Sequence, residues 1–205
     1  MGPNRIYGLD IETDTTVNGL DPRVAPVVAV ALATSEGTAV FTGAERDLLD
    51  RVESTLATLE PGVLVTWNGA GFDLPFLVDR ARVCGAHLSL ELADDPLLGG
   101  RDDPLPGHAG AYRGRWGHHR HLDGYRVYRA DVGPALRLSC GLKTMARFVG
   151  LTPVEVDRSA ISLLSPAELH DYVASDAELA RELVLRRWPA CAAGIDVVDV
   201  VGERA

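Results

Sequence analysis

The chain has 205 residues, 46% of them hydrophobic and 24% charged, which marks an ordinary soluble globular protein long enough for one domain with a real core. Its net charge of −9 argues against general, sequence-blind binding to a polyanion, which relies on Lys and Arg to neutralise phosphates. Three cysteines, Cys84, Cys140 and Cys191, lack C-x-x-C pairing and suggest neither a disulfide framework nor a zinc knuckle; no apolar run has membrane length and no basic-then-apolar leader is seen, so a reducing cytoplasm and no membrane are expected.

Ile6 to Ile11 reads as a first strand, Val24 to Ala33 as a second and Thr38 to Phe41 as a third, joined by turns at Asn18-Gly19 and Glu36-Gly37 into an antiparallel meander. Ala44 to Leu59 carries Leu48, Leu49, Val52, Leu56 and Leu59 at helical spacing and stops at Pro61-Gly62. Val63 to Trp67 reads as a buried strand, Asp73 to Cys84 as a helix with Pro75 in its first turn, and His87 to Leu92 as a further candidate strand. Asp94 to Gly124 shows neither periodicity nor an apolar run, so the expectation is a single domain over residues 1–205 with a long loop at about 94–124. Tyr125 to Val132 is the next candidate strand and Cys140 to Val149 the next helix, closed by Gly150. The last helix opens with Ser165-Pro166-Ala167-Glu168, a capping box with proline at the first helical position. In the tail, Ile195 to Val201 could dock as a strand.

The first strand ends in two acids spaced one residue apart, so Asp10 and Glu12 share a face while Leu9 and Ile11 point the other way. Two carboxylates in one small space repel, and a divalent cation relieves that; a solvent-facing acidic strip is the plain alternative. Asp73, in Trp67-Asn68-Gly69-Ala70-Gly71-Phe72-Asp73-Leu74-Pro75, is placed to cap its helix, a role compatible with metal binding. In the last helix Asp176 lies on the apolar stripe of Leu169, Tyr172, Val173, Leu179, Ala180 and Leu183, where an acid needs compensation. Tyr172, four residues earlier, projects from the same face.

In these residues the sequence resembles the DEDD superfamily of 3′-5′ exonucleases, in its tyrosine-containing subgroup. Asp10-Ile11-Glu12-Thr13 is similar to the first motif, Asn68 to Asp73 to the second and Tyr172-Val173-Ala174-Ser175-Asp176 to the third; the second, with Phe72-Asp73-Leu74-Pro75, is most similar to the proofreading domains of B-family DNA polymerases. The resemblance implies an α/β, ribonuclease H-like fold with a mixed five-stranded sheet flanked by helices, and a two-metal phosphodiesterase. Asp10 would bridge two Mg²⁺ or Mn²⁺ ions, Glu12 and Asp176 would complete one site, Asp73 would hold the other, and Tyr172 would position the attacking water with help from Glu12. The histidine subgroup would need His where Asp171 stands, and His170 is expected to face solvent.

Thr13, Asn68 and Phe72 would then touch the substrate strand, although packing and turn formation explain Asn68 and Phe72 equally well. Lys143 begins a helix that resembles the stretch between the second and third motifs of stand-alone relatives; exposure alone would explain it. His108, His118, His119 and His121 lack the cysteine partners and spacing of a zinc site. Arg113, Arg115 and Arg120, with Trp116 among them, have the composition of a single-strand guide, arginine for phosphates and an aromatic face for bases, although a solvated, partly mobile insertion accounts for the segment equally well. The expected partners are single-stranded nucleic-acid 3′ ends and, because no polymerase domain lies within these residues, a separate polymerase or repair protein. Single-stranded DNA is the leading substrate; RNA 3′-end trimming and a non-catalytic nucleic-acid-binding module of the same fold are the rivals.

Overall fold

The computed structural model describes residues 5–94 and 104–192. Seven strands form one mixed sheet in the order β3-β2-β1-β4-β7-β6-β5. They are β1 (Ile6–Thr13), β2 (Val27–Ala33), β3 (Thr38–Thr42), β4 (Val63–Thr66), β5 (Leu90–Asp94), β6 (Tyr112–Trp116) and β7 (His119–Asp123). β1, β2 and β3 are the expected meander, β4 and β7 run parallel to β1, β6 lies antiparallel beside β7, and β5 pairs antiparallel with β6 at the edge. Helices α1 (Glu45–Thr58) and α2 (Asp73–Cys84) cover one face; α3 (Gly124–Leu136), α4 (Leu142–Phe148) and α5 (Pro166–Arg186) belong to the other.

The sheet thus has two strands more than expected, and the long loop is mostly structured: residues 112–123 form a hairpin. Its polarity hid it. His119 and His121 turn toward the α1 and α2 face, where His119 Nε2 meets Leu56 O at 2.8 Å and His121 Nε2 meets Thr66 Oγ1 at 2.8 Å, while His119 Nδ1 is buried without a partner. His118 adds a contact to Leu59 O at 2.8 Å, so two histidines close the C-terminal end of α1, whose last turn carries no basic residue. Among the described residues no group of His, Cys, Asp or Glu is placed to form a zinc site, and the three cysteines are free.

The segment expected as a strand at Tyr125 to Val132 is instead the body of α3. Tyr128 and Val132, four apart, are buried on one side, and the Asp123 side chain accepts from Tyr125 N–H as the N-cap. The last helix keeps its full capping box at Ser165 and Glu168. The candidate strand at Ile195 to Val201 lies outside the described residues.

The apolar layer under α1 and α2 takes Tyr7, Leu9 and Ile11 from β1, Val30 and Leu32 from β2, and Leu64 from β4. Within it Glu45 and Arg80 form a bidentate pair at 2.8 and 2.6 Å, while Glu45 also accepts Val27 N–H and Arg80 donates to Pro22 O. That network fixes α2, and with it Asp73, relative to the start of β2. The opposite face of β1 and β2 is lined by small residues: Ala29, Ala31 and Ala33 pack against Val173 and Ala177 of α5. Gly8 belongs to this face, and a Cβ there would stand 2.1 Å from the Ala177 carbonyl oxygen. The helix backbone therefore rests directly on the strand.

Candidate active site

The alternation of β1 sends Gly8, Asp10 and Glu12 to the α5 side, opposite Ala33, Ala31 and Ala29. Between Glu12 and Thr13 the register with β2 slips, a bulge that ends regular pairing just past the second acid. Because α5 sits so close at Gly8, the side chains of Tyr172 and Asp176 enter the same space; both are buried, at 1% and 6% exposure. Asp73 arrives from the start of α2 with 5% exposure and Glu12 has 9%. Asp73 does not cap its helix as expected: Phe72 is the N-cap residue, no side chain caps it, and Asp73 is the first helical position.

Asp10, Glu12 and Asp73 lie close enough to act on one another's charge, and Asp176 is joined to them through Lys143, which pairs with it and is also acted on by Asp10 and Glu12. Burial, then Glu12 and Asp73, hold Asp10 well above the usual carboxyl range. Burial pushes Glu12 up to about 7 and Asp73 up to about 7. Asp10 Oδ2 and the Tyr172 hydroxyl are closed off from solvent without a hydrogen-bond partner, and burial raises the Tyr172 hydroxyl further, against the neighbouring Arg158.

Two basic residues answer these acids. Lys143 on α4 forms an ion pair with Asp176, and its ammonium lies 4.6 Å from the centre of the Tyr172 ring. Its side chain is 22% exposed, so exposure does not explain it; burial pulls it down to about 8. Arg158 stands at the mouth, its charge felt by Asp10, Glu12 and Tyr172.

Asp123 is a further buried acid that the motifs did not indicate. Its Oδ1 accepts from Asn68 N–H at 2.8 Å and Tyr125 N–H at 3.1 Å, and its Oδ2 from Ala70 N–H at 3.2 Å. It pins the turn that leads to Asp73, in which Asn68 adopts a left-handed φ of 74°. The signal for it was weak: an acid at the end of a polar run, just before a helix.

The expected substrate residues divide. Asn68 and Phe72 lie half-buried in the second-motif turn, the Phe72 ring 5.4 Å from Phe76. Thr13 is buried and its hydroxyl donates to Gly19 O at 2.7 Å, fixing the loop after β1. Arg115 faces Arg120 across β6 and β7, and Arg113, two residues along, shares their side of the sheet, the side of Asp10 and Glu12. Trp116 does not: it is 2% exposed on the opposite face, and its indole N–H donates to Glu53 Oε2 at 2.7 Å. It is a core residue that ties the hairpin to α1, and no base can stack on it. His170 faces solvent.

Among the described residues no three acids converge at metal-ligand spacing. The donor set nevertheless suits a divalent cation: hard carboxylate oxygens, mutual repulsion, and a buried Asp10 oxygen without a partner. A stability prediction follows from the charge. Carboxyls raised on folding contribute stability at low pH that is lost as pH rises from about 4 through about 7, since the folded state holds its protons more tightly. In EDTA the protein should lose on the order of a few kcal/mol from this site between pH 5 and 8. Asp10→Asn should flatten that fall and melt higher than wild type at pH 8, whereas Mn²⁺ should raise the wild-type melting temperature more. Equal melting of the two proteins in EDTA at pH 8 would count against a shared repulsive site.

Residues 33–95, which include the second motif, match the sequence model of the DNA polymerase family B exonuclease domain. The chain is 31% identical over 98 residues to a DNA polymerase of Pyrococcus glycovorans, covering 42% of this chain and 12% of that protein. It is 30% identical over 113 residues to DNA polymerase 2 of Aeropyrum pernix, covering 53% and 13%. Its fold matches the family B DNA polymerase of Pyrobaculum calidifontis at a TM-score of 0.69 and 24% identity, over 92% of this chain and 25% of that one. The chain thus spans about an eighth of the curated relatives it matches, and the part it shares is similar to a proofreading 3′-5′ exonuclease domain of the DEDD type.

Proposed function

We propose that this chain is a metal-dependent 3′-5′ exonuclease of the tyrosine-containing DEDD kind, acting on single-stranded DNA ends. The observation that carries the reading is the mutual charge repulsion of Asp10, Glu12 and Asp73, with Asp176 tied to them through Lys143 and Tyr172 beside them, in a fold similar to a B-family polymerase exonuclease domain. Those four carboxylates would hold two Mg²⁺ or Mn²⁺ ions, which when bound stabilise charge on the attacking and leaving oxygens of an in-line displacement.

The protein's own groups supply the rest. The Tyr172 hydroxyl has no competing partner and is free to orient a water beside Glu12. Glu12, on the same face as Asp10, would help hold that water in place. The water oxygen bonds to phosphorus and the bond from phosphorus to the 3′ oxygen breaks. The 3′ oxygen takes up a proton, leaving a nucleoside 5′-monophosphate and a strand one residue shorter. Lys143 pairs with Asp176 and lies over the Tyr172 ring, and Asp123 keeps the Asp73 turn in place.

Tyr172→Phe removes only a hydroxyl from a packed ring, so turnover should fall about 10²-fold with little change in melting temperature. A fully active Phe variant would leave Tyr172 a core residue. The arginines of β6 and β7 are the proposed approach for the strand. Replacing Arg113, Arg115 and Arg120 by Glu should weaken single-strand binding and flatten its salt dependence, while a dinucleotide is cleaved at nearly the original rate. An unchanged salt slope would remove that role. The function itself, and its sugar preference, are tested by digesting sequence-matched DNA and RNA oligomers with Mg²⁺ or Mn²⁺. Faster shortening of DNA supports the reading; shortening of RNA alone would make the protein an RNA-trimming enzyme.

A further inference from the structure

A 3₁₀ segment, Arg158–Leu163, precedes α5 and is tied to both elements that carry the motif acids. Asp157 Oδ1 accepts from Ser159 N–H at 3.0 Å and Ser159 Oγ at 2.7 Å, which fixes its start. Ser162 N–H donates to Thr15 Oγ1 at 3.2 Å, and the Thr15 hydroxyl donates to Ser162 Oγ at 3.2 Å, binding the segment to the turn after β1. Just upstream, Val154 N–H donates to Ser175 Oγ at 3.1 Å, on the residue before Asp176. The segment is a strap between the ends of β1 and α5.

Its first residue is Arg158, which is exposed and whose positive charge is felt by Tyr172, Glu12 and Asp10. Lys143, the other basic residue of the site, is taken up by Asp176; Arg158 forms no ion pair among the described residues. A guanidinium offers a planar fork of donors that fits phosphate oxygens. Beside Tyr172 and Glu12, the two groups assigned to the attacking water, the anion it meets is the phosphate under attack. We infer that Arg158, presented by the strap, binds a non-bridging oxygen of the scissile phosphate and holds that phosphate against Tyr172 and Glu12. This rests on the exonuclease reading above.

Because its side chain is exposed, Arg158→Ala should leave the melting temperature unchanged. With Mg²⁺ and a 5′-labelled oligothymidylate, kcat should fall about 10²-fold while KM moves by less than about threefold, as expected for a donor that acts mainly on the transition state. Added guanidinium ion should restore part of the lost rate to Arg158→Ala, and Arg158→Lys should retain an intermediate rate. A second readout needs no turnover: in EDTA the salt slope of oligothymidylate binding should drop by about 0.7, the loss of one phosphate contact on a single strand. Active wild type together with an Arg158→Ala variant of equal kcat and equal salt slope would overturn the assignment of Arg158 alone. A lowered kcat without guanidinium rescue and with an unchanged slope would do the same, reducing Arg158 to a strap residue. Wild type inert with both Mg²⁺ and Mn²⁺ would overturn the exonuclease reading and this inference together.

Discussion

Asp10→Ala should reduce metal-dependent hydrolysis at least 10³-fold, a loss of about 4 kcal/mol of transition-state stabilisation. Asp10 is the acid that the others surround: Glu12 shares its strand face, Asp73 raises it from the α2 side, and Lys143 and Arg158 both feel its charge. Its Oδ2 is buried without a hydrogen bond, so no structural role explains why a carboxylate stands there. Removing it also relieves repulsion, and the variant should fold at least as stably as wild type in EDTA. Loss of activity with unchanged or raised melting temperature therefore separates a functional acid from a structural one. Residual activity above a tenth of wild type would remove Asp10 from the centre of the site.

Gly8→Ala should be the most damaging substitution outside the acids. The added Cβ would stand 2.1 Å from the Ala177 carbonyl oxygen and 3.0 Å from Arg181 Cβ, and the first of these is helix backbone, which cannot rotate away. Overpacking of this kind costs about 3 kcal/mol, and the helix it displaces carries Tyr172 and Asp176. A displacement of about 1 Å at reacting groups is enough for a 10²-fold loss of rate, so folded Gly8→Ala should still turn over at least that much more slowly. Thermal melting and single-turnover cleavage measure the two effects. Wild-type values of both would show that α5 does not rest on β1 at Gly8.

The acids were legible in the sequence because their spacing is the period of the element that carries them. Asp10 and Glu12 are two apart on a strand, and Tyr172 and Asp176 are four apart on a helix whose start is fixed by a capping box. What stayed hidden was set by long-range contacts. β7 reads as loop because the partners of His119 and His121, Leu56 O and Thr66, are more than fifty residues away. Trp116 looked like a base platform because nothing local shows that Glu53 receives its indole N–H. Exposure suffices to explain Lys143 from sequence because its partner, Asp176, is 33 residues on. Gly8 could be understood only once the helix was seen lying on it, although the Ala29, Ala31 and Ala33 stripe opposite was already a hint of close approach.

On this mechanism strands are shortened from their 3′ ends with the help of divalent metal, which a time course on a 5′-labelled single-stranded DNA oligomer with Mg²⁺, with Mn²⁺ and with EDTA measures. The expected result is a ladder shortening one nucleotide at a time with either metal, release of nucleoside 5′-monophosphates, and an intact strand in EDTA. Undiminished cleavage in EDTA, or release of the 5′ label in the first turnover, would rule out a metal-dependent 3′-5′ exonuclease.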